Sequence, residues 1–550
     1  MKLLSARTPW HPVSLLMILS AWLATVGNLP LWLTVAQLPE TQGWRAVSTL
    51  VSLVLILSGL LGAFLSLLVW PRWLKPLGLL FLVMATSSSY FMWTYGVVID
   101  TTMLANVAQT DVREVRDLLS WSMLVALVLG VLLPGVWLWQ QPVRAVGAKS
   151  VFVRQLALML GSLALALVMV WLSFQDLASL MRNHKQLRYM ANPINSVYAV
   201  VRLSVGEAAQ ATQPLQPVGE DARLLTTGID EANAPLMVLV LGETVRAANF
   251  GLGGYARDTT PQLRQLQAQG DLVYFSDVTS CGTSTQASVP CMFSHLGKAA
   301  YERNGQRFET LLDVLQRAGL AVLWIDNQSG CKGVCERVPN VSTTALKVSP
   351  WCDSGECVDE VMLHELPKQL AALDPVRRAK GTVVVMHQMG SHGPAYYKRS
   401  PEAIKQFRPE CTSHALQNCP PEQIVNAYDN SVLYADHFLS QTVKWLQSQN
   451  RPTALMYVSD HGESLGEKGL FLHGMPYSMA PKEQTHVPMV VWLSQPLQRQ
   501  RGWTAACLKA QADKPLSHDN LFHSVLGLAQ VGTALAQPPL DIFAACSAAR

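Results

Sequence analysis

Hydrophobic positions along this chain fall into two textures. In the first third, apolar residues run on with few interruptions. From Leu236 onward they come in short runs separated by longer segments of mixed, periodic polarity. Five early stretches, about Val13–Leu38, Ala46–Trp70, Leu77–Val98, Trp121–Gln140 and Val151–Phe174, reach the roughly 20 residues that a helix needs to cross a hydrocarbon core. The first is too long for a signal peptide and lacks a clear small-residue cleavage site, so it reads as an uncleaved span.

The short connecting segments carry an orientation signal. Lys2 and Arg7 precede the first span, Arg72 and Lys75 follow the second, and Arg144 and Lys149 follow the fourth. The alternate connections hold Glu40 with Arg45, and a mixed set that includes Asp100, Asp111 and Asp117. Basic residues stay on the cytoplasmic side, so the N-terminus is expected there and everything after the fifth span outside. In the outside segment from Asp100 to Ser120, Asn106, Thr110 and Glu114 stand at i, i+4 and i+8, one face if the segment is a single helix. Solvation alone accounts for such a stripe. Met181–Leu203, with Arg188, Tyr189, Asn192 and Pro193, reads as an interfacial amphipathic stretch, and Ser204–Pro235 as a linker rich in Ala, Gln, Gly and Pro.

Beyond the linker, PLMVLVLGE, LAVLWIDN, TVVVMHQMG, ALMYVSDHGES and VPMVVWLS each predict a buried strand that ends in polar residues. Helical segments such as Arg307–Arg317 and Ile424–Gln447 alternate with them. Continuous apolar strands alternating with helices predict an α/β domain with a largely parallel sheet. The expected architecture is therefore a five-helix transmembrane domain over residues 1–180, an interfacial helix and linker over 181–235, and a catalytic domain over 236–550. Ligands of such sheets bind at the carboxyl ends of strands. Here those ends carry Glu243, Asn327, His387, Asp460 and His461.

Composition sharpens this picture in two ways. A net charge of +4 with no dense Lys/Arg run makes nucleic acid an unexpected partner. All ten cysteines lie between Cys281 and Cys546, none in the apolar third. Cys281/Cys291, Cys331/Cys335, Cys352/Cys357 and Cys411/Cys419 are close pairs, and Cys507 and Cys546 are left over. An even, clustered set without a paired CxxC pattern implies disulfides and an oxidising compartment, although spacing leaves the connectivity open. That compartment is the side on which the orientation signal places this half of the chain.

Three weak chemical signals converge on the strand ends. Glu243, Asp460 and His461 offer two carboxylates and an imidazole, a reasonable zinc set. Ser280–Ser294, SCGTSTQASVPCMFS, is a hydroxyl-rich turn bracketed by two cysteines; a helix N-terminus there would favour phosphate, and a metal ion would acidify a hydroxyl into a nucleophile. His387, His392 and His473, with Lys332, would form a basic cradle for phosphate oxygens or a second metal site.

The motifs GETVRAANFGLGGYARDTTP, SCGTSTQASVPCMFS, MGSHGPAYY and SDHGESLGEKGLFLHGMPYSMAPKEQTHVPM resemble those of the lipid A phosphoethanolamine transferases, the group that includes the mobile colistin-resistance enzymes. The resemblance covers essentially the whole chain. It implies a catalytic domain of the alkaline-phosphatase/sulfatase type. It further implies a zinc ion held by Glu243, Thr285, Asp460 and His461, with Thr285 as nucleophile. His392 and His473 match positions near the substrate phosphate or a second zinc, and Lys332 matches a phosphoethanolamine-contacting lysine. Asn106, Thr110 and Glu114 match residues proposed to hold the donor headgroup, which replaces the solvation reading. Gln328 stands where some relatives have Asn, and the Cys331/Cys335 pair occurs in only some members.

The implied reaction moves phosphoethanolamine from phosphatidylethanolamine to lipid A through a phosphoethanolamine–threonine intermediate. The implied site is the periplasmic face of a Gram-negative inner membrane, with polymyxin resistance as the consequence. The rival acceptors are a core sugar of lipopolysaccharide, a periplasmic glucan or a protein. A phosphoglycerol transferase would share the threonine and the five spans. A rival of another class is a membrane-tethered binding protein with an inactive hydrolase fold, which would lack a metal ligand or the nucleophile; this chain lacks neither.

Overall fold

The structure, a computed structural model, describes residues 8–39, 41, 43–110, 112–211, 213–226, 231–344, 346–353 and 356–547. The chain divides into two compact units. One comprises Met1–Leu104 with Leu118–Val205, the other Ala105–Asp117 with Gly206–Arg550.

Five helices of the first unit are long and apolar enough to cross a membrane: Pro12–Ala36, Val47–Leu68, Leu74–Tyr95, Trp121–Gln140 and Ala148–Leu172. The first is not continuous. A 3-10 turn at Val26–Asn28 interrupts it, which leaves backbone groups in need of partners. Asn28 answers one of them, its Nδ2 donating to Leu23 O at 2.7 Å; the same side chain also holds the Asn192 backbone, donating to Asn192 O and accepting from Asn192 N, each at 2.7 Å. The second and fifth spans pack closely where small residues meet. A Cβ on Gly59 would stand 2.6 Å from Ser162 O, and one on Gly62 2.6 Å from Ser162 Oγ.

Three sequence expectations are corrected. The Asp100–Ser120 segment is not one helix but two, Thr101–Gln109 and Val112–Leu118, so Asn106, Thr110 and Glu114 do not share a continuous helical face. The side chain of Glu114 lies outside the described residues. The supposed linker is also more structured than its composition implies. The helix from Ile194 runs to Ala211, Leu215–Gln216 pairs with Arg307–Phe308, and Arg223–Leu224 pairs with Val531–Gly532. Arg307 thus belongs to a strand, and the helix begins at Leu311 behind a Thr310–Asp313 capping box.

The second unit is built on a seven-stranded sheet. In chain order the strands are β1 (Leu236–Gly242), β2 (Leu272–Phe275), β3 (Ala321–Asp326), β4 (Asn340–Ser342), β5 (Thr382–His387), β6 (Thr453–Ser459) and β7 (Met489–Leu493). Their order across the sheet is β2-β7-β6-β1-β5-β3-β4. The pairs from β6 to β4 are parallel; β7 runs antiparallel to both β6 and β2. Every residue of β1 is buried because both faces are covered. Met237, Leu239 and Leu241 enter one core, with Leu312, Phe522 and Val525. Leu236, Val238 and Val240 enter the other, with Tyr428, Phe438 and Leu439 of the long helix Pro421–Gln447. The parallel strands β1, β3, β5 and β6 therefore deliver Glu243, Asn327, His387 and Asp460 to one edge of the sheet.

All ten cysteines are paired, as Cys281–Cys291, Cys331–Cys335, Cys352–Cys357, Cys411–Cys419 and Cys507–Cys546.

Candidate active site

Glu243, Asp460 and His461 follow directly on β1 and β6, neighbours in the sheet, and all three are fully buried. One ligand atom from each lies within 4.8 Å of the others. Glu243 Oε1 and Asp460 Oδ2 each stand 3.4 Å from His461 Nε2, and neither oxygen has a hydrogen-bond partner among the described residues. The other Asp460 oxygen is used locally, accepting from Thr244 N at 3.2 Å and His461 N at 2.7 Å. His461 Nδ1 stands 2.9 Å from Gly462 O. A carbonyl only accepts, so Nδ1 carries a proton, and Nε2 is the nitrogen turned toward the two carboxylates, the one a cation would take once its own proton has left. Buried carboxylate oxygens left without donors are costly unless something positive pairs with them. The donor set and its orphaned oxygens fit a zinc ion.

Thr285 completes the cluster from the other side. It is the first residue of the helix Thr285–Met292, behind an extended Ser284, and is buried. Its Oγ1 donates to Glu243 Oε2 at 2.9 Å and lies 3.4 Å from His461 Nε2. The loop that presents it is tied at each end. Gly282 N donates to Ser288 Oγ at 2.8 Å, and the Cys281–Cys291 disulfide closes the turn. Cys281 N donates to His518 Nδ1 at 3.0 Å, while His518 Nε2 reaches Ser459 O at 2.9 Å. Neutral His518 thus splices the threonine loop to the end of β6, and burial pushes its pKa down to about 4.

The charges of the cluster are mutually dependent. Burial raises the Glu243 carboxyl, but the charge of His461, 3.4 Å from Oε1, outweighs it and holds it far below the usual carboxylate range. Asp460, buried beside Glu243, is pushed up to about 6. Burial disfavours charge on His461 too, yet Asp460 and Glu243 raise it to about 9. Burial, then the charges of His461 and His392, hold His473 well below its usual value, so it is neutral.

The structure brings the histidines of the expected cradle to this cluster by different routes. The His473 ring lies 4.4 Å from that of His461 and 5.6 Å from that of His392. Gly474 N donates to Thr283 O at 2.7 Å, which pins the His473 loop to the threonine loop. His387 is fully buried, with Nδ1 3.0 Å from Asp326 Oδ2 and Nε2 3.9 Å from Glu243 Oε2. Lys332, at φ +51°, donates from Nζ to Ser329 Oγ at 2.8 Å and Ser329 O at 3.2 Å. Asn106 and Thr110 are half-buried, and Thr110 Oγ1 donates to Asn106 O at 2.8 Å.

Residues 235–531 match the family described as Sulfatase, and residues 57–207 the family described as Phosphoethanolamine transferase EptA/EptB. The chain is 39% identical to phosphoethanolamine transferase EptA of Salmonella typhimurium over 97% of each chain. The chain belongs to the phosphoethanolamine transferases. It is also 40% identical to phosphatidylethanolamine transferase Mcr-1 of Escherichia coli, over 83% of this chain and 84% of that one. The structure of integral membrane protein lipooligosaccharide phosphoethanolamine transferase A from Neisseria meningitidis superposes with a TM-score of 0.91 at 36% identity, covering 97% of this chain and 98% of that one.

Several groups that shape this transferase site escaped sequence reasoning. Asp326 ends β3 and orients His387; its signal was its place at a strand end, one residue before Asn327. Asp359 is fully buried and accepts from Asn327 Nδ2 at 2.9 Å, Met389 N at 2.8 Å and Gly390 N at 3.1 Å, so it shapes the turn that leads to His392. Glu463 accepts from Tyr396 Oη at 2.8 Å, and burial pushes it up to about 8. Neither Asp359 nor His518 stands at a strand end, and no local pattern marks them.

Proposed function

We propose that this transferase moves phosphoethanolamine from phosphatidylethanolamine to lipid A through a covalent phosphoethanolamine–Thr285 intermediate, on the periplasmic face of an inner membrane. The observation that carries the reading is the placement of Thr285: a buried hydroxyl at a helix start, 2.9 Å from Glu243 Oε2 and beside His461. Glu243, Asp460 and His461, with Thr285 Oγ1, would hold one zinc ion, which supplies charge neutralisation for the phosphoryl oxygens and acidity to the threonine hydroxyl.

In the first half-reaction Thr285 Oγ1 forms a bond to phosphorus and the bond to the glycerol oxygen breaks. Glu243 Oε2 stands where it accepts the hydroxyl hydrogen, and the departing diacylglycerol oxygen takes a proton from the histidine cluster. The helix start directs backbone N–H groups toward the phosphoryl oxygens. In the second half-reaction a phosphate oxygen of lipid A attacks the same phosphorus from the vacated side, and Thr285 Oγ1 leaves and regains a proton. His473, kept neutral by burial and then by the charges of His461 and His392, is not the standing acid; Glu243 Oε2 returns the hydroxyl hydrogen to Thr285 Oγ1, and the proton given to the diacylglycerol oxygen is restored to the cluster from the acceptor phosphate. Two in-line displacements retain configuration at phosphorus. The chain's spans keep it in the membrane that holds the donor, so neither lipid leaves the bilayer. Each ethanolamine adds a cation to lipid A and weakens the field that attracts polymyxins.

The test is mass spectrometry of lipid A from a polymyxin-sensitive Gram-negative host expressing the wild type or Thr285→Ala. A phosphoethanolamine addition with the wild type alone is expected. An unmodified lipid A beside well-expressed, zinc-loaded wild type would move the acceptor to a core sugar, a glucan or a protein.

A further inference from the structure

Arg399 spends its three guanidinium nitrogens on three separate segments. Nη2 lies 3.2 Å from Asp117 Oδ2, Nη1 3.0 Å from Glu356 Oε2, and Nε donates to the His392 carbonyl at 2.8 Å. Asp117 belongs to the short helix Val112–Leu118, between the third and fourth spans. Glu356 lies in the Cys352–Cys357 hairpin. His392 belongs to the histidine cluster. Lys398 adds a 2.5 Å contact to Asp117 Oδ1 and a 3.9 Å one to Glu356 Oε1. His414 Nδ1 is 3.7 Å from Asp117 Oδ1, and burial lowers its pKa.

The junction is built rather than superficial. The side chains of Arg399 and Asp117 are 4% and 5% exposed, so neither charge is satisfied by water. Two carboxylates balance two cations, which is what a desolvated ionic cluster needs. A planar fork with donors in three directions suits arginine and no other side chain. The helices Thr101–Gln109 and Val112–Leu118, of nine and seven residues, are too short to hold a position by propensity. The segment Ala105–Asp117 nevertheless groups with Gly206–Arg550 in one compact unit.

We propose that Arg399 is a positioning residue for the transfer reaction: by holding Asp117 and the His392 carbonyl together, it sets the inserted segment that carries Asn106 and Thr110 in register with the catalytic loop, and so aligns a lipid donor's headgroup with Thr285. This rests on the transferase reading above. A soluble donor needs no such alignment, so the junction matters chiefly for a donor held in a bilayer.

The test compares two donors with full-length protein in mixed micelles: phosphatidylethanolamine, and a water-soluble aryl ester of phosphoethanolamine. Asp117→Asn is expected to raise KM for the lipid by about tenfold to a hundredfold, the scale of a misplaced reactant, and to leave turnover of the soluble ester within about twofold. Asp117→Glu, which keeps the charge, should recover most of the loss. Arg399→Lys, which keeps the charge and loses the fork, should show the same split: a raised KM for the lipid with turnover of the soluble ester within about twofold. Retained turnover of the soluble ester shows that each Asp117 variant is folded. A parallel fall on both donors in Asp117→Asn, or an unchanged KM for the lipid, overturns the proposal while the transferase reading stands. A wild type that turns over the soluble ester but not the lipid refutes the donor assignment, and the positioning role falls with it.

Discussion

Thr285 Oγ1 donates a 2.9 Å hydrogen bond to Glu243 Oε2, although 42 residues separate the two in the chain. The other oxygen of Glu243 is buried with no hydrogen-bond partner among the described residues. One carboxylate therefore touches the hydroxyl with one oxygen and offers the second to a cation. Glu243→Gln keeps the shape and removes the charge. The expected outcome is a loss of bound zinc, read by inductively coupled plasma mass spectrometry, and a fall in transfer of about 100-fold or more. Full zinc occupancy in that variant would remove Glu243 from the ligand set.

Behind Glu243 stands His387, and behind His387 stands Asp326, which also accepts from Trp324 Nε1 at 2.9 Å. Asp326→Asn removes the charge that orients the imidazole. Because His387 stands 3.9 Å from Glu243 and is not among the expected ligands, zinc affinity measured by chelator competition should fall by less than the roughly 10-fold that loss of a ligand's own hydrogen-bond partner costs. Thermal stability should fall by about 1–3 kcal/mol for the disturbed buried hydrogen bonds.

Zinc uptake should release protons in a pattern set by His461 and Asp460. With His461 raised to about 9 and Asp460 to about 6 in the metal-free protein, one imidazole proton must leave at pH 7.5, and a carboxyl proton adds to it near pH 5.5. Calorimetry in buffers of different ionisation enthalpy should give about one proton per zinc at pH 7.5, more at pH 5.5 and almost none well above pH 9. The same shift has a stability sign. The folded value of His461 lies above its free value of 6.5, so its contribution is fully present below that pH and is lost as pH rises through about 9. Metal-free protein should therefore melt at lower temperature as pH increases over that window.

Gly390 packs on the backbone of Glu243. It has φ +53°, and a Cβ there would stand 2.6 Å from Glu243 O. Gly390→Ala should displace the turn held by Asp359 and loosen Glu243. A drop in transfer of about 10²-fold is expected, with zinc content reduced but the melting cooperative. Normal activity would show that the turn absorbs a methyl group.

The buried cluster of Glu243, Asp460 and His461 was legible because parallel strands end at one edge, and polar residues just past a buried apolar run announce themselves; Thr285 begins a helix instead, and only the family resemblance singled it out from its hydroxyl-rich turn. Asp326 was half-legible because it too stands at a strand end. His518 and Asp359 were not: each stands just before an amphipathic helix, Asp519–Ala529 and Glu360–Ala372, where a polar residue reads as an ordinary helix start, and their contacts to the site exist only in three dimensions. The strand Leu272–Phe275 is four residues long, too short for its burial on both faces to stand out from a helix end. The reversed direction of β7 is invisible in composition, because a strand buried on both faces reads the same either way. The break after Gln109 is likewise silent: no Pro or Gly marks it, and the ionic grip on Asp117 is a tertiary effect.

The five disulfides join positions 10, 4, 5, 8 and 39 residues apart, and no bond encloses or crosses another. Were this half of the chain threaded across a membrane from its N-terminal side, as the proposed function requires, each cysteine would meet its partner before the next pair appeared. Oxidation could then keep pace with export, one stitch at a time, and only Cys507 would wait for a mate more than ten residues away. The order of the stitches also means that the loop bearing Thr285 is closed first.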